Sequence, residues 1–574
     1  MLEQTNSKYQ RIFNSLQDAF KKKEETYKEI RDLLAPGTGL FDDADNLENQ
    51  KINYIKLLDS EPNTYLDTTV AGLYGGLINP AARWFDLTLN MADERFYGMD
   101  YYSRAQITEQ TREFLYFLFA KTNFYSAMRP VINEWVRYGI GCMLIEERDW
   151  DVIFFNPLTA GEYKLGIDAD GHYDKMSRCF KMKPENIIQQ FGANAPKIVF
   201  DAYEEGQYDK DFDVFHLICP NPNDGLVPSR FKFVDLYWMR GCGCCQGPHY
   251  LRKSGFMSNP IVVFSWERKN ARTIYPIGLC EKMLGDMREL QQTVKALNLH
   301  KAYLAKPALA VHASLGKKPI LPGATFYTDQ DPTKVASEIY RVNAYIAEFE
   351  DSRQRLLDKI RKMSYADILL LFAQRDRNQM TATEVTALTN EQMTLLAPIY
   401  LQAKSGLESI FKRVLDICLR RGLLRQYGEI NPSDIQIEFL STIAKAQKMA
   451  EVGSLQELVA YIAQLGQIKP GALDYINEDA IVIDLAERLG NASKINSSDR
   501  VAQLREQQAQ MQQAQMDLQR RAEEAKIAKD EAKANLAKDN MLGQKYMAAT
   551  GEETPSEGIT VPFVGGGELN GIGF

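Results

Sequence analysis

Apolar residues recur at helical spacing through residues 3–34 (Ile12, Leu16, Phe20, Tyr27, Ile30, Leu34) in a charged background. The pattern predicts an amphipathic helix stopped by Pro36-Gly37. A second helical stretch is expected through Ile52, Ile55 and Leu58. The Gly-rich segment from Ala71 ends at the stop signal Asn79-Pro80, and two more helices are expected at 103–121 and 126–139. From 143 to 265 the period changes. Short β-rich runs (MLIEE, VIFFN, VFHLI, FVDLYW, IVVFSW) stand between turns, with a short helix near 184–191. This predicts a mixed region built on antiparallel strands.

At Gly278 the chain turns strongly helical. Cys280, Met283, Met287, Leu290, Val294 and Leu297 alternate in steps of three and four, a narrow seam of the kind that packs helix on helix. Strand and turn signals follow over about 305–340, and then a second helix carries Ile346, Phe349, Leu356, Ile360 and Met363 on one face. Helix, small β insert, helix reads as a stalk with a head at its tip. The polar run Gln374, Arg375, Arg377, Asn378, Gln379 precedes a capping box, in which Thr381 accepts from the third amide and Glu384 reaches back. The helix that follows is expected to reach about Arg421, bent near Pro398. Residues 431–500 hold one strand-like piece, DIQIEFL, and short helices. Residues 501–540 contain eight Gln and nine Ala with no Pro or Gly, and Leu504, Met511 and Leu518 stand seven apart. Such a helix buries little alone; it either packs against copies of itself or stays solvated. A flexible Gly-rich tail is expected over 542–574.

Composition narrows the function classes. A chain of 574 residues, 45% hydrophobic and 25% charged, is globular and too long for a single core. No apolar run approaches a membrane span, the first residues lack a signal-peptide core, and eight cysteines are too sparse for a disulfide framework. The 68 basic against 76 acidic residues leave a net charge of −8, so tight gripping of duplex DNA is not expected. Walker, H-E-x-x-H, G-x-S-x-G and G-x-G-x-x-G motifs are missing, and the five histidines never stand at i, i+4. An enzyme is therefore not expected. Cys242, Cys244, Cys245 and His249 are enough in number for zinc, but their spacing lacks C-x2-C and their flanks read as two strands, so a hairpin tip is preferred. Asp168-Ala-Asp170-Gly171 resembles the start of a calcium loop, but Cys179 stands where the final Glu would be, and the segment is taken as a hairpin turn.

A set of segments then appears in a particular order: Pro36-Gly37-Thr38-Gly39, GLYGGLINPAARWF from Gly72, Asn123-Phe124-Tyr125, Tyr138-Gly139-Ile140-Gly141, the DADGHYD hairpin, Trp266, MTATEV from Met380, and STIAKAQ from Ser441. Over roughly residues 8–530 the chain resembles the head-to-tail connector, or portal, proteins of short-tailed bacteriophages. The resemblance implies an α+β, mainly helical portal fold in a ring of about twelve copies. On that pattern 1–277 is the wing, 278–304 and 343–371 the stem helices, 305–342 the clip and 372–380 the tunnel loop. Residues 381–430 are the wing helix, 431–500 the crown and 501–541 the helical barrel. It implies no cofactor. The implied partners are viral double-stranded DNA in the channel, the terminase large subunit, tail adaptor and tail proteins, and major capsid and scaffolding proteins. The implied location is the portal vertex of the virion, and the host cytoplasm during assembly. Arg375 and Arg377 are candidates for transient phosphate contact, or for pairing with carboxylates that set the loop's shape. Lys317 and Lys318, at a clip turn, are candidates for partner docking. Two rival readings are a metal-binding nucleic-acid-processing protein, using the cysteine cluster, and another virion adaptor or internal protein.

Overall fold

The computed structural model describes residues 2–41, 57–89, 101–149, 151–240, 249–305, 309–311, 331, 336–338, 346–373, 382–424, 435–439, 459–462, 481–482, 496 and 498–550. The chain divides into two compact units, Met1–Ile495 and Asn496–Phe574.

Helix α1 (Leu2–Leu34) runs as its pattern predicts and ends where Gly37 takes φ +79°. Its apolar face meets two partners in succession. Tyr9, Phe13 and Leu16 pack near Trp238 of the sheet, with Phe13 edge-on to the indole at 5.2 Å, while Phe20, Tyr27 and Ile30 enter the main core. Helix α2 (Glu61–Leu77) departs from expectation. Leu58 lies in a bend ahead of it, Ile52 and Ile55 lie outside the described residues, and the helix carries Gly72, Gly75 and Gly76 before ending at Leu77, just ahead of the expected stop at Asn79-Pro80. Close approach explains two of these glycines: a Cβ at Gly72 would sit 3.0 Å from Leu369, and one at Gly76 2.5 Å from the Tyr400 hydroxyl.

Strand β1 (Phe85–Leu89) leads to α3 (Tyr101–Lys121) and α4 (Phe124–Tyr138), the two helices expected. Strands β2 (Ile140–Arg148), β3 (Val152–Leu158) and β9 (Ile261–Ser265) form an antiparallel sheet of order β3-β2-β9. A five-stranded antiparallel meander follows from β4 (Tyr163–Ile167), β5 (Tyr173–Met182), β6 (Phe212–Pro220), β7 (Phe233–Met239) and β8 (His249–Phe256). Short helices α5 (Pro184–Phe191) and α6 (Lys197–Glu204) cover part of it through Ile187 and Val199. Pairing of β4 with β5 and of β7 with β8 confirms both expected hairpins.

Helix α7 (Leu279–Ala305) is followed by the short antiparallel pair β10 (Leu309–Val311) and β11 (Ala336–Glu338). Helix α8 (Ile346–Met363) then breaks where the sequence suggests continuity to Leu371. Tyr365 takes φ +61° and α9 (Ala366–Ala373) restarts. The Thr69 hydroxyl donates to the Ser364 carbonyl at 2.6 Å, so α2 holds the break in place. Helix α10 (Ala382–Arg420) continues through Pro398 as one helix. Strand β12 (Ile435–Phe439) pairs antiparallel with β1, Phe85 opposite Phe439, joining segments about 350 positions apart in register. Between them lies an aromatic core in which Trp84 stacks on Phe124 at 5.9 Å and Phe85 meets Phe411 at 4.7 Å.

In the second unit, α11 (Ser498–Thr550) is one 53-residue helix that continues past Met541, where a flexible tail is expected to begin. Alanine, Gln and Lys keep their helix propensity well past the last apolar heptad position, so the helix does not stop where the repeat does. Met511, Leu518, Ile527 and Leu536 are all exposed on it. Among the described residues no helix is long and apolar enough to cross a membrane.

Candidate functional site: the paired-helix stalk

The stalk is built from α7 and α8. All six seam residues of α7 (Cys280, Met283, Met287, Leu290, Val294, Leu297) are buried, and the first five share one hydrophobic core with Leu356, Leu357 and Ile360 of α8. Ion pairs mark the antiparallel alignment: Lys359 to Asp286 at 2.5 Å and Lys301 to Glu350 at 3.0 Å. His300 packs on the Phe349 ring with centroids 5.1 Å apart. Beyond that contact Leu299, Tyr303 and Leu304 are about half exposed, so apolar surface remains at the outer end of the pair.

The base is tied to the body by polar groups. Arg353 Nε donates to Asp59 at 2.7 Å and its Nη2 to Glu61 at 3.0 Å; the Asp59 side chain is only 6% exposed. Gln291 accepts from the Leu58 amide at 2.9 Å and donates to the Asp59 carbonyl at 2.8 Å. Lys23 of α1 binds Glu281 at 2.7 Å, and Arg288 pairs with Glu29, whose carboxyl the guanidinium holds below its usual range. Glycine permits the closest contact. Gly139, at φ +79°, faces Gly278 at the foot of α7, and a Cβ on Gly139 would lie 2.5 Å from the Gly278 Cα. These anchors have no local sequence signal, because partners such as Asp59 and Arg353 are 294 positions apart.

Beside the stalk, α4 carries a buried polar pair at its inner face. Glu134 Oε1 accepts from the Thr159 hydroxyl at 2.7 Å and Oε2 from the Ala160 amide at 3.0 Å, and burial pushes its carboxyl up to about 7. Arg137, one turn on, donates to the Leu34 carbonyl and pairs with Asp67, joining the end of α1 to α2. In the meander, Asp235 accepts from His216 at 2.7 Å, Ser254 at 2.7 Å and Arg252 at 2.9 Å. Burial alone would raise its pKa, but these donors outweigh it and hold the carboxyl at about 2.

The expected loop residues Gln374, Arg375, Arg377, Asn378 and Gln379, with Thr381, lie outside the described residues, as do Lys317, Lys318, Cys242, Cys244 and Cys245. Glu384 falls within α10, its side chain outside the description. His249 begins β8 and its Nε2 contacts the Asn194 carbonyl at 2.9 Å. Asp168, Asp170 and His172 do converge at the β4–β5 turn. Asp168 Oδ1 accepts from the amides of Asp170 at 2.9 Å and His172 at 2.7 Å, which is how an aspartate builds a tight turn.

Helix α9 packs on α2 and ends at Ala373, and α10 begins at Ala382, while residues 374–381 lie outside the described residues. A family profile described as bacteriophage head to tail connecting protein matches residues 6–495. The chain is also similar to the portal protein of Salmonella phage epsilon15, 28% identical over 512 residues, covering 86% of this chain and 89% of that protein. A probable portal protein of Bordetella phage BPP-1 is 28% identical over 516 residues, covering 85% and 88%.

Proposed function

Since the chain belongs to the bacteriophage head-to-tail connecting family, we propose that it works as the portal of a short-tailed phage, with about twelve copies closed into a ring at one capsid vertex. The observation that carries the reading is the match over residues 6–495. The ring's channel would pass the genome inward during packaging and outward at infection. Portal relatives have a structural rather than catalytic role, and the pumping ATPase would be a separate terminase subunit. The missing Walker motif agrees with that division.

In this reading α7 and α8 are the stem, and the segment containing β10 and β11 is the clip that meets terminase and tail adaptor. The body from α1 to β9, completed by α10, is the wing. Residues 372–380 are the tunnel loop, 431–500 the crown, and α11 contributes to a barrel over the channel. A ring gives the half-exposed Leu299, Tyr303 and Leu304 a partner in the neighbouring stem. It also gives α11 the copies alongside that an isolated, solvent-exposed helix lacks. Twelve chains at −8 carry about −96, which suits a channel that must not hold its DNA still. Capsid and scaffolding proteins would be the contacts of the wing.

Supply in trans tests the function. In cells infected by a phage lacking this gene, heads should contain DNA only when the chain is provided. Filled heads formed without it would overturn the assignment.

A further inference from the structure

A groove of about 620 Å³ lies outside the stalk, between the β4–β5 turn, strand β9 and α10. One wall is a polar stripe along α10: Gln402, Ser405, Ser409 and Arg413 recur at steps of three and four. Arg413 with its neighbour Lys412 and, across the groove, Arg268 set three cations against the single carboxylate of Asp170. Lys412 is exposed and has no ion-pair partner among the described residues.

Arg413 is the unusual member. It is 2% exposed, yet its Nε and Nη2 have no hydrogen-bond partner. Its Nη1 donates to the Ser258 hydroxyl at 2.5 Å and to the Ser258 carbonyl at 3.2 Å. The nearest carboxylate oxygen, Asp416 Oδ2, stands 3.8 Å away and is already taken by Ser258 at 2.6 Å and Arg420 at 3.1 Å. The Gln402 Oε1, on the same stripe, is also buried without a partner. A buried cation with two unused donor nitrogens is costly unless something anionic completes it, and guanidinium matches two oxygens of one group. Burial and the nearby Arg420 lower its pKa to about 10, consistent with a charge short of compensation.

We propose that this groove is a receptor for an anionic oxygen group, a phosphate or a carboxylate, held by Arg413 with help from Lys412 and Arg268. Both unused nitrogens are screened from solvent, so binding is coupled to a small side-chain adjustment in the groove wall. The group has two possible sources, a free small anion or an acidic side chain of a neighbouring copy. The second source rests on the ring reading; the receptor itself does not.

The test uses the full-length protein with inorganic phosphate as probe, read by 31P line broadening at constant ionic strength in chloride. Saturable binding is expected in the unassembled chain. Arg413→Lys, which keeps the charge but loses the bidentate fork, should weaken it at least tenfold. Lys412→Ala, at the exposed rim and safe for folding, should weaken it several-fold, while Lys404→Ala on the same helix leaves it unchanged. Binding that persists in closed rings identifies a free anion as the natural occupant. Binding lost on closure, with phosphate slowing closure, identifies a neighbour's carboxylate. No saturable binding in either form, or equal loss in Lys404→Ala and Lys412→Ala, overturns the receptor. A chain that binds phosphate yet never closes would refute the ring and leave the receptor standing.

Discussion

Glu134 makes the stability of the body depend on pH in a direction opposite to that of most carboxylates. Its carboxyl is buried, accepts two hydrogen bonds and has no ion-pair partner among the described residues. Burial therefore dominates, raising it from an ordinary 4.5 to about 7. At 1.36 kcal/mol per unit, that difference corresponds to about 3 kcal/mol. The folded state holds the proton more tightly than the unfolded chain does. The contribution is thus fully present below 4.5, declines as pH rises, and is lost above about 7. Glu134→Gln removes the titration while keeping the shape: the amide oxygen accepts from Ala160 and the amide nitrogen donates to Thr159. The variant should match or fall slightly below the parent at pH 5 and exceed it at pH 8 by roughly 2–3 kcal/mol, after about 1 kcal/mol for rearranged hydrogen bonds. With unfolding entropy near 2.1 cal/mol/K per residue, the unit Met1–Ile495 shifts by about 2–3 °C. Scanning calorimetry of both proteins at four pH values between 5 and 8 reads it directly. A difference between them that stays constant across that range would refute the reasoning.

Three further outcomes follow from the same geometry. Gly139→Ala combines a left-handed backbone with a Cβ 2.5 Å from the Gly278 Cα and should cost at least ~2 kcal/mol, seen as a lower melting temperature or loss of soluble protein. Arg353→Ala strips the buried Asp59 of its charged donor and should cost about 1–3 kcal/mol. It should also speed hydrogen exchange at residues 57–61, whereas Lys301→Ala, from an exposed pair, should change neither. If Arg375 and Arg377 touch passing DNA, changing both to Ala leaves ring formation intact and shortens the DNA length packaged per head; unchanged packaging assigns them to loop shape or to no role.

Much of the architecture can be read from periodicity, because burial is periodic when one face of an element meets a core. The α7 seam from Cys280 to Leu297 is buried residue for residue, and the strands of both expected hairpins pair. Reading fails where a distant partner decides. Nothing local explains the glycines at 72 and 76 within α2; the close approach of Leu369 and the Tyr400 hydroxyl does. The break at Tyr365 depends on Thr69, and β12 finds its partner at β1 far back in the chain. Glu134 and Arg413 look like solvated residues of amphipathic helices, and only the tertiary packing buries them. The motifs that carry the resemblance are spread from Pro36 to Gln447, whereas the run from Gln374 to Gln379 has no apolar period to read and lies outside the described residues, between the end of α9 at Ala373 and the start of α10 at Ala382.

The central claim is a ring with an open channel. Negative-stain imaging of the purified full-length protein, averaged down the symmetry axis, tests it most directly. The account predicts closed rings of about twelve subunits around a central hole. A uniform monomer or dimer at micromolar concentration would contradict it, because the apolar stem ends and the 53-residue helix α11 would then remain without partners.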